Sequence, residues 1–315
     1  MFITFPYALP IDAYNIILYS VQNKTEQLGK MMKKTLIALL TLTAAGSAFA
    51  GDTYIRNGNI YNNEGGWNVE AGVAQGSDLF KDQKHNTAPI LNGGYHGDDF
   101  NADLSGINYR FFGNTNELIN MSAYLVGSGV MRDGDTAKSL KGTDKRRFAV
   151  DLGLNADFTL DQNNVISTYL QHDISGAYKG YLAGATYFHI MKFGSVDFVP
   201  FANLTYQSED YVDYYFGVKQ REANANRKAY KGDSTVSYGV GYKLVMPING
   251  NWQVSQMTQY TRLAAVSATH LSLIVQTNGL LAQVCRTTSN PIRPYKAIIS
   301  MALCVGHLHN LEHRL

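Results

Sequence analysis

From Trp67 onward the chain alternates apolar and polar residues with period two, in runs too long for an ordinary soluble strand. Phe148, Val150, Leu152, Leu154, Ala156 and Phe158 oppose Asp151, Gly153, Asn155 and Asp157. Val236, Tyr238, Val240, Tyr242, Leu244 and Met246 oppose Ser237, Gly239, Gly241 and Lys243. Trp67, Val69, Ala71 and Val73 alternate with Asn68 and Glu70, and Val196, Phe198, Ala202 and Leu204 continue the theme. A period of two places successive side chains on opposite faces of an extended strand. Soluble strands average ~5–6 residues, whereas a tilted strand crossing a bilayer needs ~9–11. Hydrocarbon offers no water to an open sheet edge, so a sheet within it must close on itself. The pattern predicts an all-β fold, a transmembrane antiparallel β-barrel of the outer-membrane type. Gly, Ser and Asn on the inward face suit a narrow lumen.

Composition bears on the choice between this barrel and a soluble all-β protein. Charged residues make up 17% of the 315, below the ~25% usual in soluble domains. No stretch of ~20 apolar residues is present to span a bilayer as a helix. The 21 Tyr and 14 Phe fit the aromatic girdles of membrane barrels. A net charge of +2 without a basic run gives no footprint for nucleic acid.

Hairpin turns are expected at 113–116, 161–164, 193–195 and 247–250, alternating with long polar segments at 129–146, 175–179 and 207–233. Short periplasmic turns and longer outer loops are the known asymmetry of such barrels. A bulge near Gly106 disturbs the alternation before Glu117. Ten strands are clear up to Arg262, a last one is missing, and a weak one lies near Tyr54 to Tyr61. Twelve strands are expected, with ten as the fallback.

Residues 32–50 read as a signal peptide. Lys33 and Lys34 give the positive start, 36–45 an apolar core, and Ala48-Phe49-Ala50 an A-x-A cleavage site that leaves Gly51 as the mature N-terminus. Residues 1–31 read as a non-native leader, because Met31 and Met32 stand directly before the lysines. Codons for Leu28-Gly29-Lys30 also admit a ribosome-binding element. The barrel is assigned to 51–266. Beyond it the alternation stops, and the tail holds both cysteines, Cys285 and Cys304, and four of the eight histidines. Read one base earlier, the codons allowed for 267–289 admit an amphipathic strand ending in Phe and a stop. Residues 267–315 are accordingly read as a frameshifted tail replacing the last strand; an intact frame on resequencing would sink this.

Three places resemble the MltA-interacting protein/OmpV family of outer-membrane proteins. They are the start Gly66-Trp67-Asn68-Val69-Glu70-Ala71-Gly72-Val73, the loop from Ser208 to Val218 followed by Tyr230, and the reconstructed ending. The resemblance covers roughly 51–266. It implies a barrel in the cell outer membrane, in contact with its lipid and without known enzymatic chemistry. It further implies either a scaffold linking a murein lytic transglycosylase to a penicillin-binding murein synthase, or a surface protein responsive to the environment.

The aromatic loop Tyr211, Tyr214, Tyr215 and Phe216, with Gly217 to permit a tight turn, is the candidate partner contact. The blander readings are an interfacial belt or a loop folded inward as a plug. A barrel hydrolase would need a nucleophile and base within reach. His172, Asp173 and Ser175 are suggestive, but neighbouring strand residues point to opposite faces. His189 stands alone, and His270 with Ser272 falls in the tail. No cofactor is expected, and no metal spacing stands out. A small solute pore, for which Arg110, Arg146 and Arg147 are the candidate lining, is the alternative; an adhesin is another.

Overall fold

The computed structural model describes residues 53–262, apart from 63–65, 76–79, 81–86, 115–116, 131, 133, 135 and 250–251, together with the backbone of Val284–Ser289. Strands β1 (Thr53–Arg56) and β2 (Asn59–Asn62) form a hairpin outside the main sheet. The wall then runs through β3 (Gly66–Gln75), β4 (Thr87–His96), β5 (Phe100–Asp103), β6 (Gly106–Phe112), β7 (Ile119–Ser128), β8 (Ala149–Thr159), β9 (Asn164–Asp173) and β10 (Tyr181–His189). Past Ile190, β11 (Met191–Phe193) carries the line of β10 onward, and both pair with β12 (Val196–Gln207). β13 (Thr235–Asn249), β14 (Trp252–Arg262) and β15 (Val284–Ser289) complete the ring, β15 pairing back onto β3. All these pairings are antiparallel, and β10 with β11 acts as one interrupted strand. The sheet is therefore a closed barrel of 12 strands.

Burial along the strands is inverted relative to a soluble protein. On β8, Val150, Leu152 and Leu154 are about half exposed while Asp151 and Asp157 are buried. Lipid is the solvent for the outward row, so the polar alternates must turn inward. Outward aromatics mark both edges: Trp67 and Tyr95 in edge contact, with Phe112 and Phe193, at the end of the short turns, and Tyr181 and Tyr238 at the other.

The weak strand expected near Tyr54 to Tyr61 is absent from the wall, since it forms the separate hairpin. The place it would have taken belongs to β5, whose four residues are too few to show an alternation. The disturbance near Gly106 is the tight turn joining β5 to β6. At Gly106 (φ +155°) a Cβ would sit 2.3 Å from the Leu125 carbonyl oxygen, so only glycine lets the hairpin pack against β7. The turn expected at 247–250 begins later: Pro247 lies within β13, where the register shifts, as expected of proline, which cannot donate to a regular ladder. In place of a missing last strand, the tail supplies β15. It pairs only with Trp252–Ser255 on one side and Trp67–Ala71 on the other.

Large side chains fill the lumen where the wall has glycine. Tyr124 Oη donates to Gln171 Oε1 at 3.0 Å, and its ring lies where a Cβ on Gly153 would be, 2.2 Å away. Gly153→Val should therefore overpack the lumen, costing ~1–3 kcal/mol, and Tyr124→Ala should recover part of that loss. The urea midpoint of the heat-modifiable folded band on gels would measure both.

Candidate functional site: a lumen closed from both ends

The β1–β2 hairpin turns on Asn57 and Gly58, both at positive φ (50° and 66°), the Asn-Gly signature of a two-residue turn. Ile55 and Ile60 pack on an apolar patch inside the barrel formed by Phe188, Val199, Phe201 and Met257. Polar anchors surround this contact. Asp157 accepts hydrogen bonds from the Asn57 and Gly58 amides at 2.6 and 3.2 Å. Arg56 donates to the Gly97 carbonyl and to Asn101 Oδ1, both at 2.8 Å, and also to the Asp98 carbonyl. Thr53 donates to Asp197, and Lys243 Nζ to the Ile60 carbonyl at 3.1 Å. These anchors come from β5, β8, β12, β13 and the 97–99 turn, so the hairpin is held from several sides of the wall. It fills the half of the lumen nearer the short turns. A small cavity remains beyond its tip, lined by Asn57, Gly58, Tyr124, Asn155, Ser167, Tyr169 and Thr186.

The long loops close the other end. Ser208 caps helix α1 (Glu209–Phe216), its Oγ accepting from the Tyr211 amide at 3.4 Å, with Glu209 and Asp210 in the first turn. An oxygen cap and early acidic residues favour a helix start. Tyr211, Val212, Tyr215 and Phe216 are buried against Phe80, Val130, Leu140, Tyr178 and Leu182. Tyr178 Oη in turn donates to Asp151 Oδ2, 2.5 Å away on the wall. Cations cap the helix C-terminus: Arg132 donates to the Tyr215 and Gly217 carbonyls at 3.0 and 2.9 Å, and Arg146 to the Tyr214 carbonyl at 2.6 Å. Both guanidiniums face Glu222. Arg146 grips its carboxylate with two hydrogen bonds, at 3.1 and 3.2 Å, and Arg132 lies 3.8 Å from it. Arg227 ties the Glu222 carbonyl to those of Ser139 and Lys141.

Electrostatics fix which way this lid responds to acid. Arg221 and Lys219 beside Asp144 hold its carboxyl down at about 2. Burial pushes Glu222 up, but hydrogen bonds from Arg146 and from the Lys219 and Asp144 amides outweigh it, and the net shift is down. Burial and the neighbouring guanidiniums lower Arg132 to about 10, leaving it charged at neutral pH. A depressed carboxylate stabilises above its unfolded pKa of ~4 and loses that contribution as pH falls through its folded value. Hydrogen exchange of the α1 amides, corrected for intrinsic rates, should therefore change little from pH 7 to 5. It should accelerate from about pH 4 toward 2.

Of the aromatic loop, Tyr211, Tyr215 and Phe216 are buried and Tyr214 is half-buried, its ring under the Arg146 guanidinium. Gly217 has an extended backbone (φ −61°, ψ 154°), so no tight turn demands glycine there. A Cβ would instead sit 2.3 Å from the Asp213 carbonyl oxygen; close packing is the reason for the residue. Asp173 is buried, and its carboxylate accepts from Ser175 and from the Tyr178 and Lys179 amides. His172 lies exposed on the opposite face, so these residues do not assemble as a triad. His189 bonds Asn164 at 2.7 Å. Arg110 is buried in an ion pair with Asp99 at 2.7 Å, and Arg146 is in the lid, while Arg147 is exposed at its edge. Ala48, Ala50, Gly51, His270 and Ser272 lie outside the described residues. Among the described residues no His, Cys, Asp and Glu cluster could hold a metal ion. The alternation carries no trace of Arg132, Glu222 and Arg227. The Asn57-Gly58 turn and the Ser208 cap were the local signals available for the two closures.

A closed antiparallel sheet with an apolar outer belt, a polar interior and fillings at both ends defines a plugged outer-membrane β-barrel. Residues 69–282 match the family model described as MltA-interacting protein MipA. The chain is 55% identical over 234 residues to outer membrane protein OmpV of Vibrio cholerae, covering 74% of this chain and 91% of that protein. It is 53% identical to outer membrane protein Omp26La of Vibrio anguillarum over the same shares. Against the MltA-interacting protein of Escherichia coli it is 24% identical, covering 74% of this chain and 90% of that one. The chain belongs to the MipA/OmpV family, and its place is the outer membrane.

Proposed function

We propose that this barrel is a non-enzymatic docking protein that works from its rims, with its periplasmic turns holding a murein lytic transglycosylase and, through it, a murein synthase. The observation that carries this reading is the closure of the lumen by a built-in hairpin on one side and a buried-core lid on the other. Among the described residues these fillings stand across the lumen from both ends, which leaves the barrel's surfaces to do the work. The name of the Escherichia coli relative, MltA-interacting protein, supports the choice of partner. The short-turn rim presents exposed carboxylates at Asp98, Asp99, Glu117 and Asp161, a surface suited to a basic partner face.

The test is retention of a purified periplasmic lytic transglycosylase by the folded barrel, alongside single-channel recording. Binding that is lost in a Asp98→Lys, Glu117→Lys, Asp161→Lys variant, with no conductance steps, is the expected result. Discrete steps from the intact barrel without retention would favour the solute pore. The reading of 267–315 as a replaced last strand belongs to the same proposal. A frame-restored chain should show a sharper heat-modifiable band than this one, and equal bands would count against it.

A further inference from the structure

Two basic side chains and a histidine are exposed at the ends of β8–β10 nearer the long loops. Arg147 lies two residues before β8 at the lid's edge, His172 is the penultimate residue of β9, and Lys179 lies two residues before β10; all three are exposed. The register places His172 opposite Leu152 on one side and Tyr181 on the other. Arg147 reaches across to the β9–β10 turn, its Nη2 donating to the Ser175 carbonyl at 2.9 Å. Two lid tyrosines fix its backbone: the Arg147 amide donates to Tyr214 Oη at 3.2 Å, and Tyr215 Oη donates to the Arg147 carbonyl at 3.1 Å. None of the three has an ion-pair partner among the described residues. The outward face around them is apolar: Leu152 is level with His172, Ile174 lies nearer the rim and Leu170 deeper, each about half exposed.

Lys179 adds a second kind of observation. It lies at φ +59°, the left-handed region that disfavours every residue with a Cβ. The Asp173 carboxylate holds the turn in that shape by accepting from the Tyr178 and Lys179 amides at 2.7 and 2.8 Å. Glycine would serve this backbone better, so nothing in the turn's conformation calls for a lysine. Its side chain is exposed.

We infer that the outer ends of β8–β10 form a binding site for a phosphorylated, acylated glycolipid of the outer leaflet. Its phosphate would be held by Arg147, His172 and Lys179, and its acyl chains would lie over Leu152, Leu170 and Ile174. A guanidinium fork and an ammonium are the donors suited to phosphate oxygens. Their position at the top of an apolar face matches an amphiphile whose charge sits at the membrane boundary. The site is independent of the docking proposed for the periplasmic rim.

The probes are bisphosphorylated hexa-acyl lipid A, the same lipid dephosphorylated, and inorganic phosphate, each titrated against the full chain folded in micelles. The phosphorylated lipid should bind at least about tenfold tighter than the dephosphorylated one, and millimolar inorganic phosphate should not displace it. Combining Arg147→Gln, His172→Gln and Lys179→Gly should erase the preference while the heat-modifiable band is kept. If that variant does not fold, Lys179→Gly alone, which relieves the backbone, should still narrow the preference. Equal binding of the two lipids by the wild-type chain overturns the inference, as does an unchanged preference in the folded variants. Full displacement by inorganic phosphate would overturn it too, by making this a free-anion site.

Discussion

Glu222→Gln should unlatch the lid while leaving the barrel wall intact. The side chain is almost fully buried and is the carboxylate that Arg146 grips and Arg132 faces. Glutamine keeps the shape but removes the shared counter-charge, leaving the buried guanidiniums only the partly exposed Asp144, 3.8 Å from Arg146. Removing one member of a buried pair costs ~3–5 kcal/mol. The wall is held by backbone ladders that this change does not touch. The loss should therefore appear as local opening, with exchange of the α1 amides faster by on the order of a hundredfold or more. The heat-modifiable band should stay. Asp144→Asn, at the surface end of the same network, should do far less, because solvent screens its pairs with Lys219 and Arg221. Adding Arg132→Met to Glu222→Gln should restore part of the protection by removing one of the stranded charges. Unchanged α1 exchange in Glu222→Gln would mean that the apolar core around Tyr211 and Tyr215 holds the lid without the ionic latch.

The wall was legible in the sequence because lipid imposes one strict rule on every residue of a spanning strand. The alternations at 148–158 and 236–246 survive unbroken as β8 and β13 for that reason. Where the rule relaxes, legibility fails. β5 is too short to alternate, and β15 comes from a tail without the pattern. The two closures are tertiary devices: Ile55 and Ile60 find their partners on Phe188 and Phe201, more than a hundred positions away, and no local period reports such a match. The sequence around Ser208 read as a loop because it falls in the long polar segment 207–233, with an inward plug among the readings of its aromatics. The cap and the acidic first turn instead start a helix whose aromatic face turns inward. Arg146 and Arg147, adjacent in the chain, diverge completely, one buried on Glu222 and the other exposed at the rim. Burial of that kind depends on the loop between β12 and β13, three strands around the wall, which the chain order does not show.

Deleting Thr53–Asn62 should leave the ring folded and still silent in single-channel recording, whereas the same deletion combined with Glu222→Gln should conduct. The hairpin makes no ladder with the wall, so its removal breaks no wall pairing. It does uncover Phe188, Val199, Phe201 and Met257 to water inside the lumen, which should appear as new binding of an environment-sensitive apolar dye. Its loss opens only the half nearer the short turns, because the lid still stands across the other end. Loosening the lid alone fails for the converse reason. Each closure suffices, so conductance should appear only when both are removed, and that non-additivity separates two independent plugs from a single gate. The opened lumen carries Glu70, Asp151, Asp157 and Asp197 on inward, buried positions, against Lys243 and an Arg110 already paired with Asp99. Carboxylates in excess along a narrow path favour cations, so the reversal potential in a salt gradient should show cation preference. Conductance from the hairpin deletion by itself would mean that the lid opens spontaneously in the bilayer, and the case for a protein that acts only at its rims would then give way to a gated channel.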